Sequence, residues 1–129
     1  MARVPGVGGI FFKSPDTKKL NAWYEKYPGI PVGDEPGSSF MPNAMPDGGY
    51  TVWSPFKQDT NYCNPGRKEF MFNLIIDDPD GALRQVREGG AEIVGEIENH
   101  DFGRFGSFMD PDGSKAELWE PMVMQESKM

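Results

Sequence analysis

Residues 103–121 read "GRFGSFMDPDGSKAELWEP". Two short runs of strand-forming residues flank Asp110-Pro111-Asp112-Gly113. In such a turn the proline presets one backbone angle and the glycine supplies a positive φ. An earlier stretch, "MPDGGYTVWSP" at 45–55, has the same order: Pro-Asp-Gly, a short strand-like run, then Trp-x-Pro. Thr51 stands there where Glu117 stands in the later stretch.

Working outward, each of these stretches closes a similar series of segments. "GGIFFKS" (8–14) is an apolar run between turn formers and reads as a strand. A helix follows, capped by Ser14 or Asp16, with Leu20, Trp23, Tyr24 and Tyr27 at helical spacing, and Pro28-Gly29 ends it. "IPVG", "SSFMP" and "GGYTVWSP" complete a β-α-β-β-β series. Residues 56–68, polar and carrying Asn-Pro-Gly, read as a linker. "EFMFNLIIDD" then reads as the clearest strand, and Ala82, Leu83 and Val86 as the inward face of a short helix stopped by Gly89-Gly90. "AEIVGEI", "FGSFMD" and "SKAELWE" are three more strands, again β-α-β-β-β, with His100 in a polar loop, "IENHDFGRF".

The two series can be laid on each other. Gly9 falls on Met71, Asp16 on Asp78 and Val32-Gly33 on Val94-Gly95, each 62 residues apart. "SFMP" at Ser39 falls on "SFMD" at Ser107, "PDG" at Pro46 on "PDG" at Pro111, and "TVWSP" at Thr51 on "ELWEP" at Glu117. Six matches in one order indicate a duplicated unit. The expected organisation is a single domain over 1–129: module one at about 5–55, linker 56–68, module two at about 69–121.

This duplication, with "GRFGSFMDPDGSKAELWEP" and "IIDDPDGALRQVREGGAEIV" as its most specific stretches, resembles the vicinal-oxygen-chelate superfamily of glyoxalase I, bleomycin-resistance proteins and extradiol dioxygenases. The resemblance implies an α+β fold: two tandem βαβββ modules in a curved, half-barrel mixed sheet, with helices on the convex face and a cavity on the concave one. Metal-bearing members place ligands on the first and fourth strands of each module. Carried over, those positions are Gly9, Thr51, Met71 and Glu117, of which Glu117 alone is a good oxygen ligand. Shifting the register by one residue restores none. No metal and no cofactor are therefore expected.

Strand alternation from those positions proposes the cavity wall. Phe11, Thr51, Trp53, Met71, Asn73 and Trp119 face inward, together with Lys13, Ile75 and Lys115. Asn73 interrupts an apolar strand, either to bond a neighbouring loop backbone or to orient a ligand. Glu117 is either a carboxylate paired with Lys13, Lys115 or Arg104, or a general base in an apolar site. Arg104 is a surface turn residue or a contact for an anion at the cavity mouth, and His100 a solvated loop residue.

Composition bounds the partners. A chain of 129 residues suits one domain, and 37% hydrophobic with 12% aromatic residues suffices for a core. The net charge of −7 disfavours a nucleic-acid partner. One cysteine, Cys63, allows no internal disulfide and fits a reducing compartment. "MARVPGVGGIFF" is too short and broken for a signal peptide or a membrane span, so a cytoplasmic protein is expected. The resemblance and exposed strand edges imply a homodimer. Three functions compete: a small-molecule-binding protein of the bleomycin-resistance type, a glyoxalase-like lyase, isomerase or dioxygenase-type enzyme using Glu117, and a dimeric scaffold.

Overall fold

A computed structural model describes residues 2–5, 7, 9–32 and 37–122. The first regular element among the described residues is helix α1 (Thr17–Lys26). Asp16 caps it, accepting a hydrogen bond from the Lys19 amide at 3.1 Å, and Leu20 and Tyr24 are its buried face. A single 3-10 turn, Pro42–Ala44, follows.

The sheet is built from the second half of the chain. Strand β1 (Phe72–Ile75) leads into helix α2 (Pro79–Glu88), and strands β2 (Ile93–His100), β3 (Gly103–Met109) and β4 (Lys115–Pro121) follow. The order across the open, mixed sheet is β1-β4-β3-β2, with β1 parallel to β4 and the remaining pairs antiparallel. The β3–β4 turn forms as its residue types dictate. Gly113 takes φ 86, and Asp110 Oδ1 accepts the amides of Asp112 and Ser114, both at 2.9 Å.

Register sorts the side chains onto two faces. Phe72, Ala116 and Phe108 form one cross-strand row on the helix-bearing side, and Leu74, Leu118 and Gly106 the next. Gly106 leaves room for α2: a Cβ there would lie 3.0 Å from Leu83 Cδ1. Val86, Phe108 and Leu118 are fully buried, and Leu20 and Tyr24 of α1 join the same core. The Trp23 indole donates to the Gly89 carbonyl at 2.8 Å, and the Tyr24 hydroxyl donates to Asp110 Oδ2 at 2.8 Å. Helix α1 is thus tied to the C-cap of α2 and to the β3–β4 turn by directional bonds as well as by apolar contact.

Helix caps and turns recur in the two halves of the chain. Helices α1 and α2 are ten residues each, 62 residues apart, and Asp16 and Asp78 cap them with nearly equal angles (φ −148, ψ 89 and φ −143, ψ 87). Gly48 and Gly113, in the two Pro-Asp-Gly turns, take φ 84 and 86. The sheets differ. Residues 9–14, 30–32, 38–42 and 48–55 are expected as strands, yet among the described residues none of them joins a ladder; Gly8 and Gly33 of the expected strand segments lie outside those residues. Strand propensity by itself leaves backbone groups unsatisfied until a partner edge supplies hydrogen bonds. The side chains find partners without one: Phe12 packs on Phe72 at 4.7 Å between ring centroids, and Tyr50 on Trp119 at 5.0 Å. No described helix is long and apolar enough to cross a membrane.

Two expectations follow from this packing. Phe108→Ala empties the centre of the core and should cost about 3–5 kcal/mol in urea unfolding. A loss under 1 kcal/mol would show that the two helices do not close over this strand. Burial, and then Asp110 beside it, push the Tyr24 phenol well above its ordinary value. The folded chain therefore keeps a proton that the unfolded chain releases near pH 10, and stability should fall as pH rises beyond about 10. Tyr24→Phe should cost about 1–3 kcal/mol at neutral pH and flatten that alkaline decline. An unchanged alkaline slope would place the effect elsewhere.

Candidate functional site

The face of the sheet opposite the helices carries the polar constellation. Asn73 on β1, Glu117 on β4, Ser107 on β3 and Val94 on β2 form one cross-strand row. Ile75, Trp119, Phe105 and Glu98 form the next. Glu117 is 7% exposed although it is ionisable, because β4 lies between two strands and loop 56–66 covers it. Its Oε1 accepts from Asn73 Nδ2 at 2.8 Å and its Oε2 from the Tyr62 hydroxyl at 2.6 Å.

Tyr62 is held over the strand at three points. Lys115 Nζ donates to its carbonyl at 2.7 Å and lies 4.5 Å from its ring centroid, and Phe56 packs edge-on against it at 5.6 Å. Burial first, then Glu117 and more weakly Glu98, hold the Tyr62 phenol well above its usual value, so it stays a donor at neutral pH.

A cavity of about 140 Å³ opens beside this group. Its origin is an irregularity in β2. Val94 pairs with Ser107 and Glu98 with Phe105, so four steps along β2 match two along β3, and Gly95 takes φ 70 at the bulge. The displaced segment brings Glu96 and Glu98 to the wall, opposite Lys115, Glu117 and Tyr62. His100 also lines it. The loop reading of His100 is corrected: it is the last residue of β2, paired with Gly103, and its Nε2 lies 3.0 Å from Glu98 Oε1. The hairpin needs the ladder to run to the turn, so the polar "ENH" stays in the strand.

Of the other residues singled out in the sequence, Trp119 shares the face of Glu117. Its indole donates to the Phe102 carbonyl at 2.9 Å and stacks on Phe105 with an interplanar angle of 8°. Arg104 lies on the helix-bearing face, since it has the parity of Gly106 and Phe108, and it pairs with Asp80 at 2.8 Å and Glu120 at 3.6 Å. Met71 sits in a separate apolar groove with Phe11, Phe12 and Phe70. Thr51 and Trp53 are exposed, Trp53 by 77%. Lys13 lines the same apolar groove as Met71. Among the described residues Glu117 has no ion-pair partner within 4.0 Å, so neither Lys13, Lys115 nor Arg104 neutralises it.

Sequence reasoning missed Tyr62, Glu96, Glu98 and Ser107. Gly95 inside a strand run was the available signal for the bulge that exposes the two glutamates. Ser107 shares the parity of the inward residues and follows from the β3–β4 pairing. Nothing local marks Tyr62, whose partner is 55 residues away.

Comparison with known proteins places this architecture. A family model described as a glyoxalase-like domain matches residues 9–119. Among solved structures, a member of the glyoxalase/bleomycin resistance protein/dioxygenase superfamily from Sphaerobacter thermophilus DSM 20745 is 34% identical over 38% of this chain, with a TM-score of 0.35. The match spans 40% of that protein's chain. TnmS3, an antibiotic binding protein from Streptomyces sp. CB03234, is 20% identical over 83% of this chain and 88% of its own, with a TM-score of 0.49. A protein of unknown function from Agrobacterium tumefaciens str. C58 shares the fold, at 18% identity over 90% of this chain and 98% of its own and a TM-score of 0.50. No curated protein matches the chain. The model's match across most of the sequence, on a β-α-β-β-β unit with its glutamate on the last strand, shows that the chain belongs to the glyoxalase-like domain family of the vicinal-oxygen-chelate superfamily.

Proposed function

We propose that the chain binds a small molecule in the cavity beside Glu117, without a catalytic metal. The observation that carries this reading is a nearly buried carboxylate, oriented by Asn73 and Tyr62, at the edge of a cavity. Such a site combines enclosure with a few fixed polar groups, as small-molecule sites do. The donor set does not fit a chelated divalent ion. Of positions 9, 51, 71 and 117 only Glu117 offers a carboxylate, and among the described residues no three His, Cys, Asp or Glu side chains converge.

In the same reading the first half is a second βαβββ module. The matching helix caps and Pro-Asp-Gly turns support it, as do the contacts of Phe12 and Tyr50 with the second-half sheet. Among the described residues the outer edge of β1 is unpaired, which supports a homodimer, and the net charge of −7 supports a partner other than nucleic acid. The single cysteine fits a cytoplasmic setting. A second reading, a glyoxalase-like enzyme with Glu117 as general base, draws on the orientation of the carboxylate by two donors. It requires that a bound molecule be converted, which one-dimensional NMR of any ligand incubated with the protein detects.

A thermal-shift screen of small polar molecules, followed by calorimetry of the hits, tests the binding site. Glu117→Gln and Asn73→Leu should each weaken a genuine hit by roughly tenfold, the worth of one hydrogen bond to a charged group. Hits indifferent to both substitutions would move the site away from this cavity. Elemental analysis of the purified protein should find well under one divalent ion per chain; a stoichiometric ion would overturn the metal-free reading.

A further inference from the structure

Glu117 poses an unresolved electrostatic problem. It is 7% exposed, and the two groups that bond it, Asn73 and Tyr62, are neutral donors. They occupy two of about four acceptor positions on the carboxylate. A charge removed from water without an opposite charge nearby is costly unless something else completes its surroundings. Lys115 is the candidate counter-charge by sequence, two residues away on the same face. Its ammonium is instead committed to the Tyr62 carbonyl and ring, and lies farther than 4.0 Å from every described carboxylate oxygen.

The cavity wall adds to the imbalance. The bulge in β2 brings Glu96 and Glu98 to the same space, and His100 engages one oxygen of Glu98. With His100 neutral, three carboxylates face one ammonium. An anionic ligand would meet repulsion, and a neutral apolar one would leave Glu117 without a counter-charge. A volume of about 140 Å³ admits a head group with a few carbons. Tyr62 and Phe105 supply ring surface at the walls, which suits a cation as well.

We infer that the ligand of this cavity is a compact organic cation with N–H donors, an alkylguanidinium or alkylammonium group, bonded to Glu117 at the buried end and to Glu98 at the wall. This deepens the binding reading above and rests on it. Lys115 then serves to hold Tyr62 in place over the cavity, so that the cationic side chain of the site is kept from the carboxylate the ligand uses.

Isotope-edited NMR at physiological ionic strength tests the charge requirement, with n-propylguanidinium, its neutral isostere n-propylurea, and butanoate as probes. Propylguanidinium should give saturable shifts confined to amides of residues 94–107 and 115–118, with the other two at least tenfold weaker. Glu117→Gln should reduce its affinity by about tenfold. Glu98→Gln, at an exposed position that leaves the core intact, should also reduce it, and Glu25→Gln on α1 should not. If propylurea or butanoate binds equally well at these residues, the cation assignment fails and the cavity remains the binding site. Shifts by propylguanidinium that are scattered over the acidic surface, or that survive both cavity substitutions, overturn the assignment as well. If none of the three probes binds while the screen finds a neutral or anionic ligand sensitive to Glu117→Gln, the cation assignment again fails alone.

Discussion

Strand β4 is the element on which the molecule depends. From Lys115 to Trp119 every residue is buried, which happens when a strand has neighbours on both edges and material on both faces. Its alternation then divides two jobs between adjacent residues. Ala116 and Leu118 meet the helices, while Lys115, Glu117 and Trp119 meet the cavity side. A slip of one residue would exchange the faces, putting Glu117 into the apolar core and Leu118 beside Tyr62. The Asp110 turn guards against that slip. It fixes the β3–β4 register through Gly113 and, through the Tyr24 bond, ties the same carboxylate to α1. Core and site therefore share one determinant of register.

The polar face shows how a buried carboxylate is accommodated without an ion pair. Asn73 arrives from the parallel neighbour at the same register position, and Tyr62 from a loop that crosses above. Two fixed neutral donors orient the group and leave acceptor capacity on the open side. The bulge in β2 supplies that open side, because two extra residues cannot lie flat against β3. Its consequences are a cavity and a pair of glutamates at its rim. The remaining ionic contacts on the opposite face, Arg104 with Asp80 and Glu120, are exposed and contribute little to stability.

Much of the second half was legible from residue types. The helix stop at Gly89-Gly90, the inward set Ala82, Leu83 and Val86, and the Pro-Asp-Gly hairpin are local decisions made by backbone angles and amphipathic spacing. Parity along β1 and β4 also placed Asn73 and Glu117 on one face, because alternation is a property of any strand. The first half was harder. Its caps and turns match their counterparts, being local, whereas ladder formation for residues 9–14 and 48–55 depends on an available edge, which no local pattern reports. His100 reads as a loop residue in the sequence because polar residues resemble a loop where a strand runs out to its hairpin.

By itself, then, the sequence determined the order of elements from 69 to 121, their caps and turns, the two-faced pattern of the sheet, and the family to which that pattern belongs. These follow from φ preferences and from the periods of helix and strand, which act over a few residues. The tertiary structure alone decided that Glu117 is bonded by Tyr62, that Lys115 turns to the Tyr62 carbonyl, and that Glu96 and Glu98 border a cavity. Each of those contacts joins residues far apart in the chain or depends on a bulge between two strands. Their partners are selected by the packing of whole elements, after local preferences have been spent.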